Sequence, residues 1–204
     1  MKKIVLFLAI TIYSCSPAPS TKKASDFETL LESYYQESLS LFKLKGTYQG
    51  DTRYNDTLPN YLSEAFKTKA KAFYTNYLNQ VNTFDDISLT AEDLLSKKIL
   101  IWECEMSLKG MEFQKDLMPI DQMWGFQLSF GQLASGAGAQ PFNTVQDYEN
   151  WLVRIEGYLD WLQSAQSNMQ KGMKTGWVLP QALVKKVLPQ LKGMTRVDLD
   201  KHLF

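Results

Sequence analysis

The feature that most constrains this chain is the spacing of its apolar residues. They recur every three or four positions over long runs, and no stretch alternates apolar and polar residues as a half-buried strand would. Phe27, Leu30, Leu31, Tyr34, Leu41 and Phe42 form one such run, and Leu62, Phe66, Phe73, Tyr77 and Val81 a second. The runs are bounded by start and stop signals. Ser25 to Glu28, Thr90 to Asp93 and Thr144 to Asp147 each read as a capping box, in which a hydroxyl and a carboxylate three residues apart satisfy the first backbone N–H groups. These signals predict an all-α chain of about six amphipathic helices.

The expected helices follow in order. The first opens at Ser25 and closes at Gly46. A loop carrying Gly46, Gly50, Asn55, Pro59 and Asn60 comes next. The second helix runs from about Asn60 to Asn82. The third starts at Thr90 and has Leu94, Leu95, Ile99, Trp102 and Met106 as apolar positions. The fourth runs from Asp121 to about Leu133. Thr144 caps the longest, whose expected buried face is Tyr148, Trp151, Leu152, Ile155, Leu159 and Leu162 and which ends at Gly172 and Gly176. A sixth starts at Pro180, a residue suited to a first turn, and ends near Leu188. There is no repeat of fixed period. Such aromatic-rich faces can close a core alone or pack on partner helices.

The first 15 residues read as an address. Lys2 and Lys3 precede the apolar run Ile4 to Ile12, which is too short to span a bilayer, since a spanning helix needs about 20 residues. Ile12-Tyr13-Ser14-Cys15 resembles the lipobox of bacterial lipoproteins, with a bulky Tyr13 at a usually small position. The resemblance implies cleavage before Cys15 and its acylation. Residues 1–14 are then the signal peptide, 15–24 a tether, and 25–204 the helical part. Ser16 follows the Cys, with no Asp there to favour inner-membrane retention, so the expectation is an outer-membrane lipoprotein facing the periplasm or the cell surface. The membrane partner is reached through the lipid, and several acyl chains are needed because one anchors only marginally.

The side-chain inventory limits the chemistry. The 22 basic and 22 acidic residues balance, which argues against a nucleic-acid partner, since that needs a basic face. The two Cys and one His cannot make a zinc finger or a three-His site. With Cys15 acylated, Cys104 has no intrachain disulfide partner. It has no neighbouring His to activate it as a nucleophile and reads as a small buried residue. Glu103 and Glu105 point to different sides of a helix and are weak candidates for acid–base work. His202 reads as a solvated terminal side chain.

Four segments together resemble one family: Gly50 to Asp56, Leu117 to Phe142, Asp147 to Leu162 and Gly176 to Leu191. The pattern is similar to the bacterial domain of unknown function 885 family, from about Phe27 onward. The resemblance implies a helical protein several times longer, related to zinc metallopeptidases, with a His-Glu helix motif and a further His far into its C-terminal half. No His-Glu pair is present here. The expectation is therefore an N-terminal fragment without catalytic or metal-ligating residues. It needs no cofactor of its own, although zinc would serve a full-length relative. A missing C-terminal half is its partner and a peptide its substrate in that context. The alternative is a self-sufficient, lipid-anchored helical binding or scaffold module.

Five residues are candidates for substrate binding. Arg53, beside Asp51, can clamp a carboxylate or instead pair with Asp51 or Asp56 and pin its loop. Gln140, with Gln132 and the Gly136–Gly138 loop, can present polar groups to a ligand or mark a close backbone approach. That loop lacks the Lys-Ser/Thr of a phosphate cradle, which excludes nucleotide binding. Tyr148 and Arg154 share a helix stripe with Trp151. Arg154 can reach a cleft or pair with Asp147, Glu149 or Glu156.

Overall fold

The computed structural model describes residues 22–195, which contain seven α-helices and no strand. The signal, Cys15 and His202 lie outside the described residues. The helices are α1 (Lys22–Leu41), α2 (Lys43–Tyr48), α3 (Glu64–Val81), α4 (Ala91–Gly110), α5 (Phe126–Ala134), α6 (Val145–Thr175) and α7 (Gln181–Met194). No described helix is long and apolar enough to cross a membrane. The all-α expectation holds.

Several boundaries differ from expectation. Helix α1 is already formed at Lys22, inside the stretch read as tether, so Ser25 to Glu28 lies within the helix and not at its start. The first run is two helices. Phe42 leaves the helical region (φ −105°, ψ 66°) and its ring packs among Phe66, Phe73 and Tyr74 of α3. Burial of that ring explains the break. Gly46 does not close the run, because α2 passes through it. Its missing side chain leaves room for the Tyr54 ring, 3.1 Å from where a Cβ would stand. Helix α3 begins after Ser63, whose hydroxyl accepts from Phe66 N. Helix α5 begins only at Phe126, because the Asp121 carboxylate accepts from the N–H groups of Met123 and Trp124 and so closes a turn instead. Helix α7 continues past Pro189 to Met194. Val187 and Leu191 on either side of that proline both pack against the Ile120–Trp161 cluster, and this burial carries the helix through. The capping box at Thr144 forms as the sequence predicts. Thr90 caps its helix too, but its hydroxyl accepts from Asp93 N and donates to the Asp93 carboxylate, so the reciprocal backbone bond of a full box is not made.

Three apolar clusters make the core. The first joins Phe27, Leu30 and Tyr34 of α1 to Phe73, Tyr77 and Val81 of α3 and Leu100 and Cys104 of α4. The Tyr34 ring stacks on Phe73 and meets Tyr77 edge-on. Lys97 of α4 is also buried there, its ammonium donating to Phe84 O and paired with Asp86. The second cluster joins Leu44 of α2, Leu58, Phe130 and Leu133 of α5, and Trp151 of α6. The third joins Ile120, Trp161, Ala165 and Val187. A column of rings runs between the last two: Trp151, Phe130, Tyr158 and Trp161 stack in turn at centroid distances of 4.6, 4.0 and 5.7 Å.

Two helices bury a different face from the one expected. On α4 the core side is Lys97, Leu100 and Cys104, while Leu95, Ile99, Trp102 and Met106 face outward, Trp102 being 64% exposed. The helix is apolar on both sides, so periodicity alone could not choose between them. On α6 the core side is Trp151, Arg154, Trp161, Ala165, Asn168 and Gly172. Tyr148, Leu152, Leu159 and Leu162, expected inside, are exposed, and Ile155 is half-buried. The 31 residues of α6 make it about 46 Å long, and it crosses the second and third clusters. Gly157 sits where α6 meets the Leu58 backbone. A Cβ there would lie 2.7 Å from Leu58 O. Gly176 ends the helix at φ +83°, and Trp177 N donates back to Gly172 O.

Two substitutions test this packing. Gly157→Ala should lower the unfolding free energy by about 1–3 kcal/mol, because backbone must move to admit the methyl group. Thr144→Ala should lower it by about 1 kcal/mol through loss of the cap. Urea titrations followed by circular dichroism read both.

Candidate functional site

Arg154 is the largest fully buried side chain in the described residues, and it organises the region that holds the other candidates. Its Nε donates to Thr57 O at 3.3 Å. Its Nη2 donates to Tyr54 O at 2.8 Å and to Thr47 Oγ1, and its Nη1 donates to Gln140 Oε1. The Thr47 hydroxyl in turn donates to Asn55 Oδ1 at 2.9 Å. Every one of these partners is an uncharged oxygen. The expected pairing with Asp147, Glu149 or Glu156 does not form. Asp147 is held in the α6 cap, where its carboxylate accepts from the N–H groups of Asn143 and Thr144. Glu149 and Glu156 leave α6 on its opposite, exposed face. Burial pushes the Arg154 guanidinium down to about 10 from its ordinary value, against smaller upward pulls from Tyr61, Asp56 and Tyr48. It remains charged at neutral pH.

The structure brings Gln140 and Arg154 together and leaves the other candidates apart. Gln140 is buried, with Oε1 on Arg154, and its Nε2 meets no described acceptor. Arg53 grips Asp51 with Nε and Nη2 at 2.6–3.0 Å and donates to Gln36 Oε1 at 2.7 Å. That hydrogen bonding holds the Asp51 carboxyl below its usual range. Arg53 therefore pins the loop rather than presenting a free fork. Tyr148 is exposed on the outer stripe of α6, its ring 5.2 Å from Phe142. In the Gly136–Gly138 loop the close backbone approach is present: a Cβ on Gly138 would lie 2.9 Å from Gln132 O.

Above the Arg154 knot lies an open groove of about 700 Å³, which the sequence reading did not single out. Phe42, Leu44 and Tyr48 from the α2 region, Tyr61 and Phe66 from the start of α3 and the segment before it, and Phe126 and Ser129 from α5 line its walls. Arg154 positions the α2 wall by holding Thr47, next to Tyr48. Leu44 N donates to Tyr61 Oη at 3.4 Å and ties the walls together. Burial pushes the Tyr61 hydroxyl up to about 12, so it stays protonated. Lys45 and Gln49 supply the polar rim. The groove has aromatic faces and a cation but no carboxylate and no His among its lining residues. It can hold and orient an apolar or aromatic side chain; it offers no acid–base pair. The sequence signal for it was the aromatic density between Phe42 and Phe66.

The described residues do not fit a metal. No three His, Cys, Asp or Glu side chains among them converge as ligands. Cys104 is buried in the first cluster, its thiol pushed up to about 11 by burial and then by Glu103 and Glu105. Glu103 bonds the Tyr34 hydroxyl and is thereby tied into the core.

Three outcomes follow. Arg154→Met should cost about 2–4 kcal/mol, because several buried oxygens lose their donor while the cost of burying the guanidinium is relieved. Arg53→Ala should leave the urea midpoint nearly unchanged. Stability should also fall as pH rises through 9 to 11. The unfolded chain releases the Cys104 proton near 9 and the folded chain holds it to about 11, so the unfolded state binds fewer protons in that window. Buried Tyr61 and Tyr158, both pushed up to about 12, extend the decline. Denaturation midpoints at pH 7, 9 and 10.5 read the slope.

The profile of a family described as bacterial protein of unknown function (DUF885) matches residues 44–203. No curated protein and no solved structure matches the chain. The family match begins at Leu44, in the helix that Arg154 holds, and takes in the groove walls from there on, the ring column and α6. This chain belongs to the DUF885 family.

Proposed function

We propose that residues 25–204 are the N-terminal helical segment of a lipid-anchored, metal-dependent peptidase-like protein. In this reading the segment performs no chemistry. It supplies one side of a substrate cleft, with the metal-binding half completing it. Processing before Cys15 would place the protein at the outer membrane, facing the periplasm or the cell surface. The aromatic groove would take apolar side chains of a peptide, and the Arg154–Gln140 knot would keep its wall in place. Asp51 and Arg53 then shape the adjoining loop, and Tyr148 belongs to the surface that meets the other half.

One observation carries the reading. Val145, Tyr148, Leu152 and Leu159 are exposed along the outer side of α6, Val145 at 76% and Leu152 at 63%, with half-buried Ile155 bridging the last two into one apolar row. A row of this length suits contact with further protein. A self-sufficient lipid-anchored binding or scaffold module is the second reading, favoured by the three-part core that the described residues already close.

Intact mass of the native product, detected in membranes with an antibody to residues 25–204, separates the two. A product several times heavier than 23.4 kDa supports the first, and one near the processed chain plus lipid supports the second. Under either reading, purified residues 15–204 should bind no stoichiometric zinc and cleave no peptide. One-to-one zinc that survives His202→Ala would contradict both.

A further inference from the structure

The outer face of α4 carries a pattern of its own. Leu95, Ile99, Trp102 and Met106 are spaced four, three and four apart and lie opposite the buried Leu100 and Cys104. This is the a/d spacing of a helix that packs against another helix. Four exposed charges flank the row: Glu92, Lys98, Glu105 and Lys109. None of the four is held in an ion pair among the described residues.

The pattern is symmetric about the midpoint between Leu100 and Ile101. We propose that α4 is a homodimerisation helix that pairs antiparallel with α4 of a second copy about a two-fold axis at that point. In that register Ile99 packs on Trp102 of the second copy, and Leu95 packs on Met106. Glu92 meets Lys109 at both ends of the seam, and Lys98 lies beside Glu105 along one flank. Each contact occurs twice, as an isologous interface requires. Reversing one helix to run parallel would set Glu92 against Glu92 and Lys109 against Lys109, and would put the Lys98 and Glu105 sides of the two copies on opposite flanks of the seam. The charges therefore select a second copy of this chain, in one orientation, as the occupant. The 20 residues of α4 give a seam of about 30 Å. The inference does not rest on the peptidase-like reading, whose supporting row lies on α6.

Disulfide trapping in intact cells tests it on the full chain. Differently tagged Leu95→Cys and Met106→Cys chains, co-expressed and oxidised, should give a mixed disulfide-linked dimer. Leu95→Cys alone should not, because its two copies would sit 11 residues apart along the seam, about 16 Å. Wild type is the background; its Cys104 is fully buried. Adding Trp102→Glu to both chains should reduce the mixed dimer at least tenfold. Glu92→Lys in both chains should reduce it about three- to tenfold by setting Lys against Lys109, and Glu92→Lys with Lys109→Glu should restore it. All five positions are exposed, so folding is retained. Absence of the mixed dimer, equal linking by Leu95→Cys alone, indifference to Trp102→Glu, or no rescue by the double charge swap would each overturn the proposal.

Discussion

A guanidinium with no exposed surface, held entirely by neutral oxygens, is the constraint around which the second half of this fold is arranged. Removing a cation from water costs several kcal/mol unless each donor finds an acceptor in good geometry. Arg154 finds acceptors on Thr47, Tyr54, Thr57 and Gln140. Those residues come from α2, from the irregular segment after it and from the loop before α6. None can shift far without stranding a buried charge. The irregular stretch between Tyr48 and Ser63 has little regular backbone bonding of its own, and Arg154 supplies the anchor. Gly138 and Gly157 let neighbouring backbones come close enough for the arrangement to close, and Gly46 leaves room for the Tyr54 ring.

The same anchor explains why the groove has a defined shape. Its lining comes from the neighbouring segments 42–49 and 61–66 and from Phe126 and Ser129 of α5, and what fixes them is the knot beneath together with the ring column from Trp151 to Trp161. Aromatic stacking gives the column stiffness along α6, and the guanidinium gives it a lateral tie. The result is a preformed concave surface that can accept a side chain without first being ordered.

Helical class, capping at Thr90 and Thr144, and termination at Gly176 were legible in the sequence because each depends on neighbours within one or two turns. The sides of α4 and α6 were not. Both helices carry apolar residues around most of their circumference, and which side turns inward depends on partners that local spacing does not reveal. Arg154 shows the same limit. Nearby carboxylates suggested an ion pair, yet the acceptors lie about 100 positions upstream, apart from Gln140. The Asp51–Arg53 pairing was readable because both partners sit in one short loop. The groove was missed because its aromatic lining reads, residue by residue, as ordinary core.

The distribution of contacts along the chain has a bearing on how it is made. The first cluster draws only on residues between Phe27 and Cys104. It can close as soon as α4 leaves the ribosome, because none of its members lies further along the chain. The oxygens that will receive Arg154 must wait until another 50 or so residues have been added, solvated in the meantime by water. Synthesis therefore passes through a stage in which an α1–α3–α4 body is in place and the α2 region stays open. The arrival of α6 closes that gap, bringing the Arg154 charge and three of the four stacked rings, Trp151, Tyr158 and Trp161.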